Sequence, residues 1–181
     1  LLGTSHQVAN LNERESIALP SDSIDSFYRG LQALDGLKEC LVLNTCNRTE
    51  IYGAAEDNLK IEVVANYLAK FRDLDPEFIS QKTYRRAGPE VVRHLFEVAS
   101  GIDSQMVGET EILGQLKKAY DDASDRAYTG KVLNRLFQKS FQAAKWARTN
   151  TGISRGQVNL GNVLCELARR IFGQVDQCRL L

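Results

Sequence analysis

The chain has no excess charge of either sign, because 23 Lys and Arg residues balance 23 Asp and Glu residues in a length of 181. The overall charge therefore gives no support for a nucleic-acid ligand, which would need a local basic patch. No apolar run approaches the ~20 residues of a membrane span. The given residues show neither a signal-peptide pattern nor an Arg- and Ser-rich transit pattern, which leaves open a leader that was removed. With 43% hydrophobic and 25% charged residues, the composition is that of a globular protein with a sizeable core.

Cysteine is also scarce, with only Cys40, Cys46, Cys165 and Cys178. Their spacing matches no zinc pattern, and four cysteines in a chain of this length do not indicate a disulfide scaffold. A reducing, cytosol-like compartment is the expected environment. The chain begins with Leu1-Leu2 and has its one Met at position 106, so we expect an excerpt or a processed form of a longer protein.

Residues 41–52, LVLNTCNRTEIY, contain two β-rich runs separated by a short polar stretch. This pattern predicts two strands joined by a tight connection, with Cys46 at the end of the first strand. Arg48 follows two residues later, and a guanidinium near a thiol favours the nucleophilic thiolate. Most cysteines are small buried hydrophobes without chemistry, so this segment leaves both a catalytic and a structural Cys46 open.

Elsewhere in the first half of the chain, short strands alternate with helices. Strands are predicted at about 1–5, 37–44, 49–55 and 81–87. Their order with the helices, β-α-β-β-α-β, predicts an α/β (α+β) fold with a ferredoxin-like split βαβ sheet.

Local signals predict where the helices of this half begin and end. Asn12 and Glu15 fit a capping box, Pro20 ends the helix that follows, and Ser21 offers the next N-cap. Gly36 is predicted to close the second helix, a third helix is expected at about 57–72, and Pro76 opens a short turn.

From Gly88 onward the pattern is helical, with helices predicted at about 89–101, 109–127, 131–150 and 163–172. The helix at 131–150 has a basic and polar side, formed by Lys131, Arg135, Lys139, Gln142 and Lys145. A solvated helix face is the ordinary interpretation of such a side, and a track for a phosphate backbone is the alternative. Residues 151–162 predict a loop or hinge, and residues 177–181 resemble the start of a strand, so we expect another domain to follow.

A second polar segment, ASGIDSQMVGETEILGQ at 99–115, combines glycines with short polar side chains. Glycine permits close backbone approach, and the polar groups can line a hydrogen-bonding pocket. A helix–loop–helix connection, with Glu109 and Glu111 near a helix start, explains the same residues.

Together, TCNRTEIY and HLFEVASGIDSQMVGETEILGQ strongly resemble the glutamyl-tRNA reductase family. The segments GTSHQ…ERE, TGISRGQV, CELARRIF and CRLL extend the resemblance over essentially the whole chain. The resemblance implies that residues 1–150 are the N-terminal catalytic domain, and that 151–181 are a linker and the first elements of an NADPH-binding domain. No G-x-G-x-x-G occurs, so NADPH would be bound mainly by the domain that follows.

Enzymes of this family reduce glutamyl-tRNA to glutamate-1-semialdehyde, the first step of tetrapyrrole (5-aminolevulinate) synthesis. The resemblance implies that Cys46 attacks the aminoacyl ester, and that NADPH reduces the resulting thioester. His94 would be a general acid toward the leaving tRNA or would shape the site. Arg48 suits the substrate's side-chain carboxylate, and a pocket carboxylate suits its α-amino group. The implied substrate-binding residues are Thr45, Asn47, Arg48, Ser104, Glu109, Thr110, Glu111 and Gln115.

The sequence departs from the family's usual Met, Pro and Gln at Gln105, Thr110 and Glu111. The family also implies a homodimer formed through a C-terminal domain, glutamate-1-semialdehyde aminomutase as a partner, and a bacterial cytoplasm or plastid stroma. Two other functions stay open on the residues. One is a tRNA-binding or regulatory module that uses the basic side of 131–150, and the other is a Cys/His esterase that uses Cys46 and His94.

Overall fold

A computed structural model describes residues 1–153 and 160–173. In these ranges the strands are β1 (Leu2–Ser5), β2 (Leu37–Asn44), β3 (Arg48–Ala55) and β4 (Tyr84–Arg85). The helices are α1 (Leu11–Ile17), α2 (Ile24–Gln32), α3 (Ile61–Arg72), α4 (Pro76–Lys82), α5 (Pro89–Ser100), α6 (Glu111–Asp125), α7 (Lys131–Asn150) and α8 (Leu160–Phe172). No helix in the described ranges is long and apolar enough to cross a membrane.

The strands form one sheet in the order β2-β3-β1-β4, and each neighbouring pair is antiparallel. Strand β3 lies between β1 and β2, and β1 lies between β3 and β4. Each βαβ unit is therefore split by a strand of the other, which confirms the predicted ferredoxin-like arrangement.

Helices cover both faces of the sheet. Successive side chains of a strand point to opposite faces, so a strand can contact helices on both sides. On one face, the ring of Tyr52 in β3 meets Phe137 of α7 edge-on at 5.2 Å. On the other face, Ile51 lines the same cavity as Val64 of α3, and Phe27 of α2 packs against Phe71 of α3 at 4.9 Å. The face that carries Tyr52 also carries the candidate site.

The first helix begins two residues earlier than the sequence predicted. Its capping box is formed by Asn10 and Glu13, not by Asn12 and Glu15. The Asn10 side chain accepts the Glu13 N–H at 3.1 Å, and the Glu13 carboxylate accepts the Asn10 N–H at 2.8 Å. Both pairs have the required spacing, so the spacing alone could not distinguish them.

Other predicted boundaries were also wrong. Helix α2 has Ser23 rather than Ser21 at its N-cap and ends at Gln32, while Gly36 lies in the turn before β2 with a φ of +85°. Pro76 opens a helix, α4, because Asp75 caps it by accepting the Glu77 N–H at 2.8 Å. That helix continues to Lys82 and leaves only Tyr84–Arg85 for β4.

In the helical half, α5 and α7 have the predicted extents, whereas α6 begins at Glu111 and α8 at Leu160. The late start of α6 leaves residues 101–110 as a loop, which becomes a wall of the candidate site. The predicted strand at 177–181 and residues 154–159 of the predicted loop at 151–162 lie outside the described residues, whereas residues 160–162 of that predicted loop belong to α8.

Candidate active site

Cys46 lies in the turn between β2 and β3, as the sequence predicted. The Thr45 N–H donates to the Arg48 carbonyl at 2.8 Å. The Thr45 hydroxyl oxygen accepts the backbone N–H groups of Asn47 and Arg48 at 3.2 and 3.1 Å. Thr45 therefore holds a two-residue turn that leaves Cys46 exposed. By contrast, Cys40 is buried, and this burial raises the pKa of its thiol to about 12.

A cavity beside Cys46 brings the two polar segments of the sequence together. It has a volume of about 30 Å³ and is lined by Thr45, Cys46, Asn47, Arg48, Ser104, Gln105, Glu109, Glu111, Ile112 and Gln115. The Ser104 hydroxyl is buried and has no hydrogen-bond partner among the residues that the structure describes. An unsatisfied buried hydroxyl in the wall of a cavity is available to a ligand.

Two of the predicted site residues do not line this cavity. Thr110 is exposed at the N-cap of α6, and its side chain makes no capping hydrogen bond. His94 is buried in α5. Its Nε2 lies 2.7 Å from Glu50 Oε1 and its Nδ1 lies 3.7 Å from Asp103 Oδ2. Among the described residues, His94 makes no hydrogen bond to Cys46.

Glu50 is the centre of a buried polar network beneath the Cys46 turn. Its carboxylate accepts hydrogen bonds from Arg48 Nη1 at 2.7 Å and from the Tyr52 hydroxyl at 2.6 Å. The Tyr84 hydroxyl and His94 Nε2 also bond to it. Burial alone would raise the pKa of Glu50, but the His94 hydrogen bond and the Arg48 charge outweigh it and lower that pKa to about 2. Glu50 is therefore an anion at neutral pH.

Arg48 joins this network to the loop at 101–110. Its Nη1 lies 3.3 Å from Asp103 Oδ2, and its Nη2 donates to the Asp103 backbone carbonyl. Burial alone would lower the pKa of Arg48, but Glu50, Tyr84 and Asp103 outweigh it and raise that pKa. Arg48 lines the cavity, yet two carboxylates already match the charge of its guanidinium.

The loop at 101–110 is also held from its other side. Gly101 has a φ of +77° and its carbonyl accepts the Gly108 N–H at 2.9 Å. Arg148, near the end of α7, donates to the Glu109 carbonyl at 2.7 Å. The loop is thus fixed between Arg48 and Arg148.

Sequence reasoning missed Glu50, Tyr52, Tyr84 and Arg14 as members of this region. The alternation of Arg48, Glu50 and Tyr52 along one face of a strand was a usable signal, because a carboxylate inside a buried strand needs partners. Tyr84 carried no such signal, since its hydroxyl meets Glu50 across 34 sequence positions.

The comparisons with known proteins all point to one family. The family described as "Glutamyl-tRNAGlu reductase, N-terminal domain" matches residues 2–151. The glutamyl-tRNA reductases of Magnetococcus marinus and Alkalilimnicola ehrlichii are 40% and 41% identical over 97% and 94% of this chain. This chain spans 42% and 38% of the lengths of those two relatives.

A solved structure gives the same result. Glutamyl-tRNA reductase from Methanopyrus kandleri matches with a TM-score of 0.73 and 34% identity, over 93% of this chain and 39% of that chain. The matched range, the relatives' identities and the shared fold agree. The chain belongs to the glutamyl-tRNA reductase family and matches its N-terminal domain.

Proposed function

We propose that this chain is the catalytic part of an NADPH-dependent glutamyl-tRNA reductase and forms a thioester between Cys46 and glutamate. Residues 1–150 would form the catalytic domain, and 151–181 would lead into the NADPH-binding domain. One observation carries the proposal: the exposed Cys46 thiol shares a cavity with the unpartnered Ser104 hydroxyl and the carboxylates of Glu109 and Glu111.

The proposed step is an acyl transfer. The Cys46 thiolate attacks the carbonyl carbon of the ester, a carbon–sulfur bond forms, and the bond to the tRNA ribose oxygen breaks. The leaving ribose hydroxyl takes up a proton. Glu109 and Glu111 suit the substrate's α-ammonium group, while Ser104 and Gln115 can donate hydrogen bonds to its side-chain carboxylate.

The contacts of Arg48 and His94 support indirect roles for both residues. A substrate carboxylate would compete with Glu50 and Asp103 for the Arg48 guanidinium. We therefore assign Arg48 to holding the 101–110 loop against β3. His94 supports the same network through its hydrogen bond to Glu50. This contact favours a role in shaping the site over a role as a general acid.

The residues of this chain do not fit NADPH. The sequence contains no G-x-G-x-x-G, the loop that holds the pyrophosphate of a dinucleotide. The family name supports reduction of glutamyl-tRNA by the whole protein, and the resemblance implies glutamate-1-semialdehyde as the product. We expect these 181 residues alone to form the thioester and to hydrolyse it slowly. The homodimer and the aminomutase partner stay predictions from the resemblance.

Intact mass spectrometry after acid quench tests the proposal. The chain is mixed with glutamyl-tRNA without NADPH, and wild type is compared with Cys46→Ser and with a control, Cys165→Ser. We expect an added glutamyl group in wild type and in Cys165→Ser, and none in Cys46→Ser. Absence of the adduct from wild type that binds the tRNA normally would contradict thioester formation by this chain.

A tRNA-binding module without chemistry is the second candidate. It is favoured by the basic side of α7, where Lys131, Arg135, Lys139 and Lys145 are all exposed. This function predicts binding that weakens steeply with salt and that Cys46→Ser leaves unchanged. Loss of salt dependence on replacing Lys139 and Lys145 together with Gln would locate the contact.

A further inference from the structure

Arg14 lies next to Cys46, and its positive charge is not paired with a carboxylate of the described residues. It lies in α1, where its Nη1 donates to the Ala9 carbonyl at 2.8 Å and its Nε donates to the Cys46 carbonyl at 3.4 Å. Arg14 does not line the cavity that holds Ser104, Glu109 and Gln115. It therefore contacts the Cys46 turn from outside the proposed amino-acid site.

The charge of Arg14 is free to meet an anionic ligand. Both of its partners are neutral carbonyl groups, and no carboxylate within the described ranges lies at ion-pair distance from it. The neighbouring Glu13 is already bound to Lys82 at 2.9 Å and to the Asn10 N–H at 2.8 Å. Arg48, by contrast, is matched by Glu50 and Asp103.

His6 carries no positive charge at neutral pH that could bind an anion in place of Arg14. Its backbone N–H donates to the Asn47 carbonyl at 3.1 Å, which places it beside the same turn. Burial first, and then the charges of Arg48 and Arg14, lower the pKa of its imidazole, with Asp103 opposing. A lowered pKa keeps this imidazole neutral at neutral pH.

We propose that Arg14 binds the phosphodiester next to the terminal nucleoside of the RNA and thereby positions the leaving group at Cys46. This inference rests on the proposed function. If the amino acid enters the cavity, the ester carbonyl lies at Cys46 and the ribose lies on the cavity's outer side. The first phosphodiester is then within one nucleotide of the ester, and Arg14 contacts the Cys46 turn from outside the cavity. A guanidinium recognises phosphate oxygens through charge-assisted hydrogen bonds.

Two small esters separate a phosphate contact from general support of the turn. One is the glutamyl ester of adenosine, which has no phosphate, and the other is the glutamyl ester of cytidylyl-adenosine, which has one phosphodiester. The rate at which each ester acylates Cys46 is measured by acid-quench mass spectrometry. Wild type should react faster with the dinucleotide ester. Arg14→Gln should lose about tenfold on that ester, as expected for a hydrogen bond to a charged group, and should keep its rate on the adenosine ester.

The controls isolate the positive charge of Arg14. Arg14→Lys should keep most of the preference for the dinucleotide ester. Arg72→Gln removes another guanidinium that donates to a backbone carbonyl, that of Ser16 at 2.9 Å, and should leave the preference unchanged. In wild type alone, the preference should fall as salt is raised, so the test does not depend on any variant folding.

The possible results are distinct. Equal losses on both esters in Arg14→Gln, or a wild-type preference that salt does not affect, would overturn the phosphate contact and leave the thioester proposal intact. Absence of any adduct in wild type with either ester and with glutamyl-tRNA would overturn the proposed function, and this inference with it.

Discussion

Glu50 shows how much one residue can organise in this protein. Its carboxylate is fully buried and bonds to Arg48, Tyr52, Tyr84 and His94. A buried carboxylate is tolerated only when its charge is paired and its oxygen atoms are bonded. Here the same contacts also fix Arg48, which holds the loop of the candidate site.

We expect Glu50→Gln to destabilise the fold by roughly 3–5 kcal/mol, since removing one partner leaves the other charge buried. Urea unfolding at pH 7 would measure the loss. Glu56→Gln is the control, because Glu56 pairs with Lys38 on the surface and both side chains are more than half exposed. Equal effects of the two substitutions would show that the buried network contributes nothing.

The free energy of unfolding should depend on pH because the pKa of Glu50 differs between the folded and the unfolded state. Its pKa in the folded protein is about 2, below the ordinary value of 4.5, so the folded state binds this proton less readily than the unfolded state. The stabilisation is therefore complete above about pH 5 and is lost as the pH falls toward 2. The difference in unfolding free energy between wild type and Glu50→Gln should be constant from pH 7 to pH 5 and shrink below that. A difference that stays constant down to pH 3 would contradict the lowered pKa.

At the scale of elements, strand β1 has a glycine, Gly3, where the side chains of Glu50 and Tyr84 approach it most closely. Gly3 lies opposite Glu50 in the β1–β3 pair. A Cβ atom at this position would lie 2.8 Å from the Tyr84 ring and 2.9 Å from the Glu50 side chain. The absence of a side chain at Gly3 therefore lets both groups reach the network.

Gly3→Ala should cost about 1–3 kcal/mol, because neither neighbour can move without breaking its hydrogen bond. The thermal midpoint and urea unfolding would measure the cost. Gly114→Ala, inside α6 and with nothing within 4 Å of the added atom, is the matched control and should be neutral or stabilising by up to about 1 kcal/mol. If Gly3→Ala proves as stable as Gly114→Ala, the close approach is not what selects glycine at this position.

At the scale of the whole molecule, Glu39 of β2 joins the sheet to the helical half. Its carboxylate accepts the backbone N–H groups of Gly130, Val132 and Leu133 at 2.9, 3.0 and 2.7 Å, at the start of α7. A helix N-terminus has unpaired N–H groups and a partial positive charge, both of which a carboxylate satisfies. A residue of the sheet thus caps a helix that begins 92 positions later.

Glu39→Gln should lower the free energy of unfolding by about 1–2 kcal/mol, since a single amide oxygen cannot serve three donors. It should also speed hydrogen exchange at the amides of residues 130–133. Glu62→Gln, an exposed residue 3.8 Å from Arg85, is the control. Unchanged exchange at residues 130–133 in Glu39→Gln would show that the cap does not hold α7 to the sheet.

Local patterns in the sequence were sufficient for the order of the four strands and of the helices other than α4, the split βαβ sheet, the turn that presents Cys46, and the extents of α5 and α7. They also identified the two polar segments that share the cavity, although the roles of those residues stay predictions. These features depend on neighbours within about one helical turn or on strand alternation, and such neighbours are visible in the sequence itself.

Contacts between distant parts of the chain required the tertiary structure. Arg48 meets Asp103 across 55 positions and Glu50 meets His94 across 44, so Arg48 has matched charges and His94 is buried outside the cavity. The sequence could not show that Arg48 is paired with carboxylates whereas Arg14 bonds to carbonyl groups. Whether a charge is paired, and whether a histidine faces a cavity or a core, depends on groups that only folding brings together, because burial and Coulomb energy follow distances in space.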